Sequence, residues 1–161
     1  MAKPVKQDAL LQIIRAAARG RTRLLVGIAG GPGSGKSTLA GHLAAQLGPG
    51  AAVLPMDGFH LDNAELILLG LLDRKGAPET FDAAGFVALI KRLRETQAVR
   101  YPTFDRTADC TLPDAGEIGA GTQIVLVEGN YLLLTTPPWS DLADLFDITV
   151  HLEVDRAMLL A

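Results

Sequence analysis

The sequence predicts an α/β fold, with one domain over residues 1–161 built on a doubly wound, mainly parallel sheet that carries helices on both faces. Three observations point there. The short continuous apolar runs "RLLVGIAG" and "TQIVLVEG" read as strands buried on both sides, as parallel strands are. Segments with helical spacing separate them. A glycine-heavy turn, "GIAGGPGSGKST", joins the first run directly to a helix. No internal repeat, low-complexity tract or linker divides the chain.

Taken in order, residues 5–19 read as a helix whose face holds Val5, Ala9, Leu10, Ile13, Ile14 and Ala17, stopped by Gly20. "RLLVGIAG" is the first strand, and "KSTLAGHLAAQLG" a helix ending at Gly48. "AAVLPMD" is the second strand. "LDNAELILLGLLDRKGAP" begins as a helix and is interrupted by Pro78; Leu66 to Leu72 are apolar enough for an interface, but core packing is the expected use. "FDAAGFVALIKRLRET" is a strong helix with Phe86, Leu89, Ile90 and Leu93 on one face and Asp82 as N-cap. Residues 99–121 are turn-rich, an excursion of irregular or short antiparallel structure. "TQIVLVEG" and "FDITVHLEV" are the third and fourth buried strands, and "DRAMLLA" opens a further helix.

A formal net charge of -3 and a pI near 5.5, with Lys and Arg scattered, give no basic surface for nucleic acid. The amino terminus lacks the apolar core and small-residue cleavage site of a signal peptide, and no run approaches the ~20 apolar residues that span a membrane. Cys110 is the sole cysteine, so no intrachain disulfide forms, which fits a reducing compartment. The expected location is cytoplasmic.

The glycine turn holds G-x-x-x-x-G-K-[ST] as Gly30, Gly35, Lys36 and Ser37, between a strand and a helix as that phosphate-binding loop requires. Gly30, Gly31, Pro32, Gly33, Ser34, Gly35, Lys36, Ser37 and Thr38 are therefore assigned to nucleotide binding. Glycines let backbone N–H groups approach a phosphate where a Cβ would clash, and the helix starting near Lys36 aims its positive end there. Lys36 would reach the β- and γ-phosphates, and the Ser37 hydroxyl would ligate Mg²⁺. The fold is thus of P-loop NTPase type, with ATP and Mg²⁺ as expected cofactors. N-K-x-D, needed by a GTP switch, is absent, as is the LSGGQ-type stretch of transporter ATPases.

Ligands collect at the carboxyl ends of parallel strands. Two acids follow such ends: Asp57 after "AVLPM" and Glu128 after "QIVLV". Transfer of a phosphoryl group to a hydroxyl needs a carboxylate to orient and accept the proton, and a second acid near the metal. Asp57 is the choice for the base, because "MDGFHLDN" continues into residues suited to hold an acceptor; its plain alternative is a turn aspartate before Gly58. Glu128 suits the metal shell, the alternative being a strand-end surface acid. His60 either touches substrate or is a hydrogen-bonded loop residue, His42 is structural and His151 packs within the fourth strand. No zinc spacing occurs.

"GGPGSGKST", "MDGFH", "APETFD", "YPTFDR", "VLVEGNYLL" and "FDITVHLEVD" occur in the order of the phosphoribulokinase, uridine kinase and pantothenate kinase group of P-loop kinases, which the chain resembles over residues 23–158. Within it the chain looks most like a bacterial nucleoside/nucleotide kinase-like branch that includes fructokinase-like proteins. The resemblance implies that Asp57 is the catalytic base with Lys36, that Ser37 and Glu128 hold the metal, and that Asp82 meets substrate hydroxyls, although by sequence it is also an ordinary helix cap. It implies substrate contacts at Tyr101, Phe104, Asp105 and Arg106; relatives carry a tyrosine where this chain has Phe104, which weakens a nucleoside-base contact. The family continues past "HLEVD" into a lid with arginines and a last strand near the adenine, so the native protein is expected to be longer than the stretch ending at Ala161.

The expected function is an ATP- and Mg²⁺-dependent kinase for a hydroxyl of a small metabolite, a sugar first and a nucleoside or pantothenate second. Phe59, His60, Asp62 and Asn63 with residues 99–111 should form the acceptor pocket. The competing class is a nucleotide-binding regulatory module that uses the same cradle without phosphorylating a metabolite. The expected partner is a small hydroxyl acceptor, without nucleic acid or membrane, and a homodimer is open.

Overall fold

The computed structural model describes residues 3–95 and 98–153. Strands β1 (Leu24–Gly30), β2 (Ala51–Pro55), β5 (Ile124–Gly129) and β6 (Ile148–Leu152) form a parallel sheet in the order β2-β5-β1-β6. Strands β3 (Val99–Asp105) and β4 (Cys110–Ile118) pair antiparallel as a separate hairpin. Helices α1 (Gln7–Ala18), α2 (Lys36–Leu47), α3 (Asn63–Leu69) and α4 (Ala83–Glu95) intervene. The chain leaves β1 for β2, returns to β5, then crosses to β6 on the other side of β1. The order therefore reverses between β5 and β1, the position where open α/β sheets bind ligands.

Both faces of the central strands β1 and β5 are buried, which explains their unbroken apolar runs; β2 buries only Leu54, and β6, expected as a fourth buried strand, alternates between half-buried and exposed residues because it lies at a sheet edge among the described residues. Leu24, Val26 and Ile28 of β1 with Ile124 and Leu126 of β5 pack on Leu10, Leu11, Ile14 and Ala18 of α1 and Ala40 and Leu43 of α2. The alternate residues Leu25, Ala29, Val125 and Val127 face Phe86, Leu89, Ile90 and Leu93 of α4 with Trp139 and Phe146. A fully buried side chain of this size contributes about 1.5–3 kcal/mol. The two layers together fix the strand ends that carry the site.

Three local expectations change. The buried face of α1 is Leu10, Leu11, Ile14 and Ala18, leaving Val5 and Ile13 exposed; the two adjacent leucines straddle the stripe, so the face is rotated from the expected one. Of Leu66 to Leu72 only Leu66 is buried, while Ile67, Leu68, Leu69 and Leu72 are exposed, because α3 ends at Gly70 (φ 69°) after seven residues and presents one side to the core. His151 does not pack: it is exposed on β6, a sheet edge among the described residues, 3.7 Å from Glu153. His42 is likewise exposed on α2. The helix expected over 155–161 lies outside the described residues, as do Thr96 at the end of the expected fourth helix and Val154 at the end of the expected last strand.

Candidate active site

Register explains why the acids converge. Glu128 pairs with Ile28 of β1 on one side and with Pro55 of β2 on the other. Asp57, two residues past Pro55, and the glycine loop, which starts at the end of β1, therefore meet Glu128 at one edge of the sheet. Asp57 sits in a single 3₁₀ turn, Met56–Phe59. Gly129 lets that turn close over the strand end: a Cβ there would lie 2.6 Å from the Met56 side chain.

The loop has the form of an anion cradle. Gly33 and Gly35 take left-handed φ values of 71° and 86°, and nothing lies within 4 Å of the Cβ positions of Gly31, Gly33 and Gly35. Gly30 has no such room, since a Cβ would stand 2.5 Å from Ser34 Oγ. Ser34 Oγ is itself buried with no hydrogen-bond partner, a polar atom that a phosphate oxygen would satisfy. Gly35 caps α2, whose first N–H groups have no intrahelical acceptors, and Lys36 Nζ folds back to donate to Gly31 O at 3.4 Å. Thr38 is exposed on the first turn of α2.

Beside the cradle, Ser37 Oγ donates to Glu128 Oε1 at 3.1 Å. Glu128 is only 5% exposed. Burial pushes its carboxyl above the usual carboxylate range, the Ser37 hydrogen bond opposes this, and the charges of Asp57, Lys36 and Arg106 all reach it. A hydroxyl and a buried carboxylate oxygen are hard ligands suited to Mg²⁺, which keeps several waters and phosphate oxygens rather than a protein cage. No group of three or more His, Cys, Asp or Glu placed to hold a metal occurs among the described residues. Asp57, with its side chain 43% exposed, accepts a hydrogen bond from Arg106 Nη2 at 3.3 Å.

The hairpin lies across the Asp57 turn. Gly58 permits it, because a Cβ there would fall 1.8 Å from Pro102 O. His60 Nδ1 donates to Asp57 O at 2.8 Å, so this nitrogen carries the proton. Its ring stacks between Phe81 (centroids 4.1 Å apart) and Phe104 (4.9 Å). Phe59 is core, edge-on to Phe86 at 5.0 Å. Tyr101 packs over Gly116, and burial raises its phenol above the usual value. Asp105 Oδ1 accepts the N–H groups of Thr107 and Ala108, and Asp82 Oδ1 accepts Gly85 N–H as the cap of α4.

Of the residues expected at the site, Lys36, Ser37, Asp57, Arg106 and Glu128 come together. Phe59, His60, Asp62 and Asp82 instead border a neighbouring cavity of about 550 Å³ that Asp57 does not line. Lys75 and Asp109 went unnoticed in the sequence. They sit 34 residues apart and meet at 2.6 Å beside Asn63, a pairing that no local pattern signals.

The chain matches the profile of the Phosphoribulokinase / Uridine kinase family over residues 25–161. It belongs to that family. Among solved structures it superposes with TM-score 0.89 and 46% identity on a Silicibacter sp. TM1040 protein described as a "putative fructose transport system kinase", covering 97% of this chain and 78% of that one. It is 38% identical over 147 residues to a Schizosaccharomyces pombe protein named "putative uridine kinase", covering 84% of this chain and 63% of that protein. It is 32% identical over 145 residues to a pantothenate kinase of Nocardioides sp., covering 83% and 44% respectively. The chain spans 63%, 64% and 59% of the length of the first three curated relatives it matches. No helix among the described residues is long and apolar enough to cross a membrane.

Proposed function

We propose that this family member is a small-molecule kinase that moves the γ-phosphoryl group of ATP to a hydroxyl of a polyhydroxylated, sugar-like acceptor. The observation that carries the reading is the meeting of Ser37, Glu128 and Asp57 at the switch point of the sheet, beside the cradle and Lys36. Lys36 and the loop N–H groups would hold the phosphates of ATP, and Ser37 with Glu128 would hold Mg²⁺, which would supply charge neutralisation. Asp57 orients the acceptor hydroxyl and takes its proton. Arg106 gives way to the acceptor or contacts it. A cytoplasmic location follows from the substrates such a reaction needs.

The sugar-like acceptor is supported by how the aromatic rings are used. A nucleobase recognised by stacking takes a free aromatic ring face, and the rings near the Asp57 turn are largely engaged with one another or with the chain. Phe104 carries His60 and the Lys75 ammonium, Phe81 carries His60 with Tyr131 and Trp139, and Tyr101 is packed on Gly116. The description of the Silicibacter protein as a "putative fructose transport system kinase" agrees with this choice, whereas other relatives are named for uridine and pantothenate.

The test is Asp57→Asn. Turnover falls about 100- to 10,000-fold, the range of a general base, while ATP affinity measured by calorimetry stays at the unsubstituted value. Unchanged turnover removes Asp57 from the role. ATP binding with no acceptor-dependent ADP release in the unsubstituted protein leaves a nucleotide-binding regulatory module as the account.

A further inference from the structure

The β3–β4 hairpin holds Arg106 over Asp57, yet a two-stranded hairpin is marginal on its own. Val99 and Ile118 anchor its far end in the core and Pro102 closes on Gly58, so it is the placement of the tip, with Arg106, that depends on what the tip is tied to. Within the tip, Asp105 Oδ1 gathers the N–H groups of Thr107 and Ala108 into a rigid turn, and Asp109 takes a left-handed φ of 52°. Two side chains leave this turn for the rest of the molecule: Arg106 to Asp57, and Asp109 to Lys75.

Lys75 is well placed to act as the tie. Its ammonium donates to Asp109 Oδ1 at 2.6 Å and to Asn63 Oδ1 at 2.8 Å, and the Asn63 amide closes the triangle by donating to Asp109 Oδ2 at 3.0 Å. The same ammonium lies 5.4 Å above the Phe104 ring, which stacks on His60. Hydrogen bonds from Lys75 and then Asn63, with the Lys75 charge, hold the Asp109 carboxyl below the usual range. Lys75 is itself only 21% exposed, and the next residue, Gly76, accepts a hydrogen bond from the Tyr131 hydroxyl at its carbonyl, so the backbone behind the lysine is fixed. The start of β4, next to the tip, is tied separately, with Thr111 N–H donating to Asp62 Oδ1 and its hydroxyl to His60 O, both at 2.9 Å. Those bonds locate the strand, and the Lys75 triangle orients the tip beyond it.

We propose that Lys75 is a positioning residue: by tying Asp109 to Asn63 it sets the hairpin tip so that Arg106 of that tip is held against the Asp57 carboxylate. The proposal rests on the reading of Asp57 as the base for its functional meaning, though its physical content is independent of any substrate. Lys75 touches neither phosphate loop nor Asp57 and acts through Arg106.

The test is carboxylate labelling of the full chain with a water-soluble carbodiimide and an amine, read peptide by peptide, in Lys75→Met, Arg106→Ala, the double variant and Lys75→Arg. Arg106→Ala unmasks Asp57 and raises its labelling about two- to fivefold, the factor by which an exposed ion pair shifts an equilibrium. Lys75→Met raises it toward the same level, the double variant goes no higher than Arg106→Ala, and Lys75→Arg restores protection. Glu128 labelling stays low throughout, which a general loosening would not allow. The proposal is overturned if Lys75→Met leaves Asp57 protected, if the two effects add, or if Glu128 opens as well. The turnover of Asp57→Asn decides the kinase reading separately, so the two ideas fail by different measurements.

Discussion

Gly58→Ala is the substitution whose consequence the structure states most directly. The added Cβ would stand 1.8 Å from Pro102 O, 2.5 Å from Pro102 C and 3.0 Å from Thr103 Cα. All three are backbone atoms, so no rotamer change relieves the clash. To reach an ordinary separation of 3.4 Å the hairpin must move outward by about 1.6 Å. Overpacking of this kind costs about 1–3 kcal/mol, and a residue this deep in the contact belongs at the upper end. The same movement takes Arg106 from 3.3 Å to beyond hydrogen-bond reach of Asp57. In urea unfolding the midpoint falls with an unchanged slope, and the residual folded protein keeps its ATP affinity because α2 and the glycine loop are untouched. A midpoint equal to that of the unsubstituted protein would refute the packing of the hairpin on the Asp57 turn.

Two further outcomes concern titration. Burial raises the Glu128 pKa on folding, with the Ser37 hydrogen bond opposing it, so between its unfolded and folded values the native state binds more protons than the unfolded chain. Stability of the ligand-free protein therefore falls as pH rises through that window, and Glu128→Gln flattens this limb in pH-dependent melts while abolishing metal-supported turnover. Asp147 shows the opposite sign. Burial raises its pKa, but Arg94, the Leu25 N–H and the charge of Arg21 outweigh this and hold it below the usual range. Its contribution is present above the unfolded pKa and is lost as pH falls through the folded value. Asp147→Asn removes that acid limb and costs about 2 kcal/mol at neutral pH, the scale of hydrogen bonds to charged groups, with its arginines partly exposed.

Much of the candidate site's geometry was legible because it is local. The spacing from Gly30 to Ser37 carries the cradle within one turn, and Asp57 and Glu128 each end an apolar run, so their placement needs only the rule that ligands collect at carboxyl ends. Strands β1 and β5 were legible because burial on both faces removes alternation, whereas β6 was expected to be buried and instead alternates, with Thr149 and His151 exposed. What escaped was set by tertiary placement. The exposed Ile67, Leu68 and Leu69 look like core in the sequence because periodicity over seven residues does not fix which side faces inward. His60 reads equally as a ligand or a loop residue until Phe81 and Phe104 close on its faces. Asp82 remains a helix cap by geometry, with its place beside the 550 Å³ cavity the only further clue.

The central claim is tested most directly by ADP release from Mg²⁺-ATP by the full chain across fructose and other sugars, uridine, cytidine and pantothenate. The account predicts that one sugar-like acceptor raises the rate and that Asp57→Asn abolishes the rise. Release stimulated by a nucleoside alone would contradict the acceptor class, and release indifferent to every acceptor, with ATP still bound, would contradict the kinase.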